Sequence, residues 1–283
     1  MLIAVVGLGL IGGSLAKAIK YNTDNEVLGY DIDYNVLLKA KLLGAIDGEL
    51  TEEKISQCDM IITGLYPETT KKYITDNADK FKKGAIVLDT CGVKEYVCYD
   101  MWRLAKKHGF TFVGAHPMAG LHLSGFEHSE VTMFNNASMI IVPEKDFDIR
   151  TLETVKKLFL SIGFTNIQMT TCEEHDKIIA FTSQLAHVVS NAYVKSPNAE
   201  LHKGFSAGSY KDLTRVAKLN ETMWTELFME NKDNLIEEIN YITENLQKYS
   251  DALKNEDEAT LKALLKDGRE CKERIDGVPQ IKT

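Results

Sequence analysis

Short apolar runs alternate with helix-period segments through the first 170 residues. The runs that suit buried strands lie at 2–6, 27–30, 60–63, 85–88, 110–115, 139–142 and 164–170. Between the first two runs, Leu15, Ala18 and Ile19 fall on one side of a predicted helix. This alternation predicts an open parallel sheet covered by helices.

The strand pattern stops after residue 170, and helices are predicted over 173–193, 220–247 and 259–275. The first of these helices has an apolar face that we expect to be buried, formed by Ile178, Phe181, Leu185, Val188, Val189 and Ala192. The opposite face carries Asp176, Ser183 and His187, which is typical of a solvated surface. Small residues on that face nevertheless leave room for a ligand or another helix. We therefore predict an α/β domain over 1–170 and an all-α domain over 171–283, whose long helices suit a dimer core.

A glycine-rich turn joins the first strand to the first helix. Gly7 permits a tight turn, Gly9 lets the backbone approach a pyrophosphate, and Gly12 lets the helix pack on the strand. The free N–H groups at the helix start, at Leu10 and Ile11, then hold the phosphates. The pattern predicts a Rossmann-type doubly wound sheet with a dinucleotide site, and a purely structural turn is the alternative.

The nature of the dinucleotide depends on the end of the second strand. Asp31 lies 19 residues after Gly12, where a carboxylate accepts both ribose hydroxyls of NAD. Residues 31–35 contain no Arg or Lys to bind the 2′-phosphate of NADP. The sequence therefore favours NAD, although Lys39 and Lys41 keep NADP open.

Two further polar segments follow predicted strands. Residues 89–94 come after the strand at 85–88, and residues 116–120 come after the strand at 110–115. Ligands of an open parallel sheet bind beyond the carboxyl ends of its strands. Both segments are therefore expected on the cofactor side.

Charge limits the class of partner. The 283 residues carry a net charge of −8, so the protein has no global attraction to nucleic acid or to an anionic membrane. No apolar stretch reaches the ~18 residues of a membrane span. An anionic substrate therefore needs a local cation, and residues 202–219 form a basic segment. Arg215 in that segment is the candidate carboxylate clamp.

The cysteines indicate a reducing compartment. Their number is odd, and none of their spacings matches a zinc site: Cys58, Cys91, Cys98, Cys172 and Cys271. We therefore expect free thiols in a cytoplasmic protein without a metal centre.

Seven segments together resemble the prephenate/arogenate dehydrogenases of tyrosine biosynthesis. They are GLGLIGGSLA at 7–16, VLGYD at 27–31, DTCGVK at 89–94, HPMAG at 116–120, EHD at 174–176, SQLAH at 183–187 and KDLTR at 211–215. The resemblance covers nearly the whole chain. It implies oxidative decarboxylation of prephenate to 4-hydroxyphenylpyruvate and CO2 with reduction of NAD, in a homodimer formed through the C-terminal helices.

The resemblance also assigns roles to individual residues. His116 holds and polarises the ring hydroxyl as hydride departs, which requires a neutral imidazole. Arg215 binds a substrate carboxylate, and His187 lines the substrate pocket. Ser183 and His175 are placed nearby by the same comparison.

The chain departs from the family pattern at three places. Many relatives have Gly-Ser where this chain has Cys91 and Gly92, so a hydroxyl that helps to position the histidine is missing. Thr90, which we count with the cofactor residues, or a water is the candidate substitute. His122 replaces a common acidic residue, and Gln184 replaces a common histidine.

Several functional alternatives stay open. Arogenate is one alternative substrate, and the sequence leaves feedback inhibition by tyrosine undecided. A β-hydroxyacid dehydrogenase of the same two-domain plan would need a catalytic lysine, for which Lys177 and Lys195 are the candidates. An NAD-binding regulatory protein without turnover would not need His116, His187 and Arg215 together.

Overall fold

A computed structural model describes residues 1–121 and 123–277 of the chain. These residues form two compact units, one covering Met1–Lys232 and one beginning at Asp233. The family departure at His122 and the tail after Gly277 lie outside the described residues. The boundary predicted between residues 170 and 171 stays a prediction.

The first unit contains an eight-stranded sheet in the order β3-β2-β1-β4-β5-β6-β7-β8. Its strands are β1 (Leu2–Val6), β2 (Glu26–Tyr30), β3 (Gly48–Glu49), β4 (Met60–Thr63), β5 (Ile86–Asp89), β6 (Thr111–Pro117), β7 (Ser138–Val142) and β8 (Asn166–Met169). The order reverses direction between β1 and β4, as in dinucleotide-binding sheets. The predicted fold class is confirmed.

The last two strands differ from the predicted all-parallel sheet. β7 pairs antiparallel with β6, and β8 is parallel to β7. The chain between β6 and β7 packs on the first helix instead of forming a helical crossover, and a parallel pairing of β7 with β6 would need such a crossover. Glu130 N donates to Ser14 Oγ over 2.9 Å, and Lys17 Nζ donates to the Ser129 carbonyl over 2.7 Å.

Helices cover both faces of the sheet and form most of the regular structure described after β8. The α-helices are α1 (Leu10–Asn22), α2 (Tyr34–Leu42), α3 (Glu52–Ile55), α4 (Pro67–Asn77), α5 (Glu95–His108), α6 (Ile149–Ser161), α7 (Cys172–Ile179), α8 (Ala186–Tyr193), α9 (Gly208–Thr214), α10 (Glu221–Glu230), α11 (Lys232–Lys254) and α12 (Glu258–Asp276). A π-helical turn, Ala180–Leu185, joins α7 to α8. Short 3-10 turns lie at Phe126–His128 and Pro197–Leu201.

Both faces of the sheet are buried. Ile3 and Val5 of β1 belong to one apolar core, whereas Ala4 and Val6 belong to the other. A strand buried on both faces needs a continuous apolar run, and for this reason β1 can be predicted from the sequence.

The buried face of the α7–α8 segment is only partly the predicted one, since Leu185 is buried as expected but other members of that face are not. Ile178 and Phe181, predicted inside, are 51% and 57% exposed. Asp176, predicted on the polar face, is buried, as are its neighbour His175 and also Gln184. The reason is that these polar groups have hydrogen-bond partners in the interior, which a pattern of hydrophobicity cannot reveal.

The helix predicted over 220–247 is divided at Asn231. This buried residue leaves helical geometry, and its side-chain amide donates to the Asp176 carbonyl and to Gln184 Oε1. The break therefore places one amide where it binds two groups of the α7–α8 segment.

Candidate active site

The turn between β1 and α1 has the geometry of a dinucleotide cradle. Gly7 has a φ of +84°, which favours glycine. A Cβ at Gly12 would lie 1.8 Å from the Gly7 carbonyl oxygen, and one at Gly64 would lie 2.9 Å from it. A Cβ at Gly9 would meet nothing within 4 Å, so open space lies beside the N-terminus of α1. The turn thus packs tightly on the protein and leaves room for a pyrophosphate at Leu10 and Ile11.

Asp31 is held beside this turn at the end of β2. Its Oδ2 accepts from Leu8 N over 2.8 Å, and its Oδ1 accepts from Asp33 N over 2.9 Å. Each oxygen retains acceptor capacity for a ribose hydroxyl. Lys39, which had kept NADP open, forms an ion pair with Glu127 at 2.6 Å. The surroundings of Asp31 therefore fit NAD.

A buried ion pair lies behind the next strand ends. Asp89 and Lys94 are both fully buried and are in direct contact. Lys94 Nζ donates to the Ala115 carbonyl over 2.7 Å, and Asp89 Oδ1 accepts from Ala115 N over 2.9 Å. Although burial disfavours the ammonium, the adjacent carboxylate raises the pKa of Lys94. The pair thus fixes the backbone immediately before His116.

His116 begins a chain of three side chains. His116 Nδ1 lies 2.9 Å from His175 Nε2, and His175 Nδ1 lies 2.6 Å from Asp176 Oδ1. His116 comes from the end of β6 and the other two from α7, so the contact joins residues 59 positions apart. His175, which the resemblance placed near the substrate pocket, lies against His116 in the structure.

Both histidines are neutral at physiological pH. Burial, the His175 ring and the Lys94 ammonium lower the pKa of His116 well below 6.5. Burial also lowers the pKa of His175, against the opposing effect of Asp176. His116 therefore meets the requirement for an imidazole that accepts a proton.

A second group of predicted residues gathers around His187. Its Nδ1 donates to the Ser183 carbonyl over 2.9 Å, so Nε2 remains an acceptor. The Trp224 ring lies against it with centroids 3.8 Å apart. Burial lowers the pKa of His187, and the positive charge of Arg215 lowers it further. The exposed Arg215 guanidinium is therefore close enough to act on the His187 ring. An acceptor, an aromatic face and a cation thus lie together.

Helix α10 connects the two groups. Trp224 contacts His187, and one turn later Leu227 lies beside Gly92. A Cβ at Gly92 would be 3.4 Å from Leu227 Cδ2 and 3.9 Å from His116 Nε2. The same helix therefore faces both the His116 and the His187 sides of the candidate site.

The structure also places the residues that depart from the family pattern. Thr90 Oγ1 donates to the Thr63 carbonyl over 2.9 Å, so its hydroxyl is engaged away from His116. Cys91 is buried with its Sγ 3.5 Å from Thr70 Oγ1. Gln184 Nε2 donates to the Leu227 carbonyl over 3.2 Å. The Gln184 side chain therefore joins the α7–α8 segment to α10 by hydrogen bonds and is not free to bind a substrate.

The lysines required by the β-hydroxyacid alternative have no contact with His116 or His175 among the hydrogen bonds of the described residues. Lys177 and Lys195 are both exposed. Within residues 1–121 and 123–277, no three His, Cys, Asp or Glu side chains gather as metal ligands. In the same ranges, no helix is long and apolar enough to cross a membrane.

Sequence reasoning missed some residues that shape the site. The sequence pattern places Asp176 only on a helix face and the Asp89–Lys94 pair only in a segment near the cofactor, and it gives Trp224 no role in the site. A signal was available for three of them, because Asp176 ends EHD while Asp89 and Lys94 begin and end DTCGVK. Their partners are distant in the chain, so the contacts themselves could not be predicted from the sequence.

Two family models match the chain. The model described as the prephenate dehydrogenase nucleotide-binding domain matches residues 15–167. The model described as the prephenate dehydrogenase dimerization domain matches residues 171–267. The first match alone covers more than half of the chain.

Individual relatives agree with the family models. A prephenate dehydrogenase of Bacillus subtilis is 28% identical over 98% of this chain and 76% of its own length. A cyclohexadienyl dehydrogenase of Zymomonas mobilis is 27% identical over 90% of this chain and 89% of its own. The crystal structure of prephenate dehydrogenase from A. aeolicus, in complex with hydroxyphenyl propionate and NAD+, is 29% identical with a TM-score of 0.85. That match covers 97% of this chain and 98% of the other.

Proposed function

The chain belongs to the prephenate dehydrogenase family, and we propose that it converts prephenate to 4-hydroxyphenylpyruvate and CO2 while reducing NAD. One observation carries the proposal: His116 stands at the end of β6, hydrogen-bonded to His175, where burial lowers its pKa. Arg215 and His187 supply a cation and an acceptor on neighbouring elements. Such an arrangement suits a substrate with a hydroxyl at one end and carboxylates at the other.

NAD is the cofactor, and it supplies a hydride acceptor when bound. The backbone of Gly9, Leu10 and Ile11 would hold the pyrophosphate, and Asp31 would accept from the ribose hydroxyls. Asp31 and Asp33 would both repel a 2′-phosphate. The paired Lys39 is already bound to Glu127 and gives such a phosphate little help.

His116 acts on the ring hydroxyl. As hydride leaves the carbinol carbon, the hydroxyl proton moves to His116 Nε2 and the carbon–oxygen bond becomes a carbonyl. The bond from the ring to its carboxylate then breaks, and its electron pair passes through the ring to the carbonyl oxygen. That oxygen takes the proton back from His116, so protons and charge balance. Aromatisation drives this second step, and the protein needs only to hold the reacting groups in line.

Arg215 acts on a substrate carboxylate. Its guanidinium offers two parallel N–H donors and stays charged at every physiological pH. The His187 ring lies against the Trp224 ring, and the charge of Arg215 acts on His187, so we expect these groups to surround the carboxylate. Burial of the carboxylate against these groups orients the ring relative to His116.

Prephenate is favoured over arogenate by charge. Prephenate is a dianion, whereas arogenate carries an additional ammonium group. The basic segment at 202–219 includes Lys203, Lys211 and Lys218 as well as Arg215, and all four are exposed. A local surplus of cations binds the more anionic substrate better. Arogenate remains the second candidate because a cyclohexadienyl dehydrogenase is among the relatives.

The direct test is NADH formation by the purified chain with prephenate or arogenate, each with NAD and with NADP. We expect turnover with prephenate and NAD. Turnover with arogenate alone would change the assigned substrate to arogenate and leave the proposed mechanism unchanged. No turnover with either substrate would overturn the proposal.

Replacement of Arg215 by alanine tests the carboxylate end. Since a hydrogen-bonded charge contributes about 1.5–3 kcal/mol, we expect the KM for prephenate to rise roughly 10- to 100-fold. The affinity for NAD should not change. Steady-state kinetics of Arg215→Ala beside Lys107→Ala, an exposed lysine of α5 outside the basic segment, provides the comparison. A KM change below about threefold would remove Arg215 from the site.

A homodimer is part of the proposal. Ile178 and Phe181 are exposed on the α7–α8 segment, and Leu246 and Leu265 are 62% and 59% exposed on α11 and α12. Exposed apolar side chains on helices suit association with a second copy. We also propose a cytoplasmic location, in keeping with the free thiols of the chain.

A further inference from the structure

A hydroxyl that would position His116 is missing from the turn after β5. Gly92, the residue of this turn that lies nearest His116, has no side chain, and Leu227 lies beside it. Thr90 and Cys91, the neighbouring candidates, bond elsewhere. Among the described residues, the side chain in hydrogen-bond contact with His116 is that of His175.

We propose that His175 and Asp176 together select the tautomer of His116 and so make its Nε2 the proton acceptor for the substrate hydroxyl. The inference deepens the proposed function and rests on it for its kinetic part. His175 and Asp176 are positioning residues, because they act through His116 and reach the substrate only through it. They replace the missing hydroxyl by holding the opposite side of the imidazole ring.

The argument begins at Asp176. A carboxylate only accepts hydrogen bonds, so the 2.6 Å contact requires a proton on His175 Nδ1. Because His175 is neutral, its Nε2 has no proton and is an acceptor. His116 Nδ1, 2.9 Å away, must then be the donor. A neutral His116 with its proton on Nδ1 presents a lone pair at Nε2.

Asp176 is itself held firmly enough to direct the chain. Its Oδ1 accepts from Lys94 N and its Oδ2 from Glu95 N, both over 2.8 Å, at the start of α5. Its backbone carbonyl accepts from the Asn231 amide over 2.8 Å. His175 and Asp176 are 2% and 1% exposed. Water therefore does not compete for these bonds, and the carboxylate cannot turn away from His175.

Gly92 and Leu227 complete the arrangement on the other side of the ring. A serine at position 92 would bring a hydroxyl near His116 Nε2, since its Cβ would lie 3.9 Å away. With glycine there, no side chain of residue 92 competes for the lone pair. Leu227 adds an apolar contact instead. The Nε2 atom is therefore left for the substrate.

The test uses the full chain labelled with 15N-histidine, without substrate. We expect His116 to show a protonated-type shift at Nδ1 and an unprotonated-type shift at Nε2 at neutral pH, with the His116→Asn spectrum giving the assignment. His175→Ala should replace this pattern with shifts averaged over both tautomers. His175→Gln keeps an acceptor for His116 and a donor for Asp176, so it should preserve the wild-type pattern.

Kinetics gives the second readout. His175→Ala should lower kcat roughly 10- to 100-fold with KM for prephenate changed less than about threefold, since it disturbs the acceptor and not the carboxylate clamp. His175→Gln should restore kcat to within about fivefold of the wild type. A wild-type His116 protonated on Nε2, or an unchanged tautomer in His175→Ala, would overturn the proposal. Equal losses of kcat in the two variants would also overturn it. The NMR spectrum does not depend on turnover. It therefore distinguishes a failure of the proposal about the His116 tautomer from a failure of the proposed function.

Discussion

Replacing His116 by asparagine should lower kcat at least about 100-fold, the usual contribution of a general base. Asparagine still fills the end of β6 and offers an amide to His175, but it cannot take up the hydroxyl proton. The binding of NAD should survive, because the cradle at Gly9 and the carboxylate of Asp31 are separate from the imidazole. Single-turnover formation of NADH, with NAD affinity measured by fluorescence, checks both expectations.

A matched control is the replacement of His128 by asparagine. His128 is exposed at the end of the Phe126–His128 turn, so its loss should leave kcat within about twofold. In the wild type, activity should fall only when the pH drops below the lowered pKa of His116, well under 6.5. The neutral form is the active one, so the profile should be flat through neutral pH. Near wild-type turnover in His116→Asn would refute its role as the base.

Replacing Lys94 by methionine should destabilise the first unit by about 3–5 kcal/mol. The loss of one partner of a buried pair leaves the other charge uncompensated, here the fully buried Asp89 carboxylate. The Ala115 carbonyl would also lose its donor. We expect a fall in Tm on the order of 10 °C, measured by calorimetry and by urea unfolding.

The surface pair of Lys106 and Glu144 provides the control. Lys106 is 69% exposed, so Lys106→Met should cost less than about 1 kcal/mol. The double variant Asp89→Asn with Lys94→Met should be more stable than the sum of the single losses predicts, because it removes both charges. A loss below about 1 kcal/mol in Lys94→Met would show that the pair does not stabilise the site.

Local rules were enough for the β1–α1–β2 unit of the nucleotide-binding half, but not for the antiparallel pairing of β7 with β6. The turn after β1 needs glycines at fixed positions because a Cβ at Gly12 would overlap the Gly7 carbonyl oxygen. Strands buried on both faces need continuous apolar runs, which marks them in the sequence. Asp31 follows from its position after β2. The motif resemblance then directed attention to His116, His187 and Arg215.

The helical half was predicted less well. Periodicity indicated helices, but it assigned Ile178 and Phe181 to the interior and missed the break at Asn231. Hydrophobicity describes each segment alone, whereas burial of Asp176 depends on donors from the start of α5, more than 80 positions away. A pattern within one helix contains no information about such partners.

The sequence by itself determined the βαβ unit, the cofactor edge and the residue types of the site. These depend on backbone sterics and on the period of each element, which act over a few neighbouring residues. Only the tertiary structure decided how His116, His175 and Asp176 join, which face of α7 is buried, and that Leu227 lies beside Gly92. Those features arise when elements far apart in the chain pack together, and the direction of a hydrogen bond then decides which nitrogen accepts the proton.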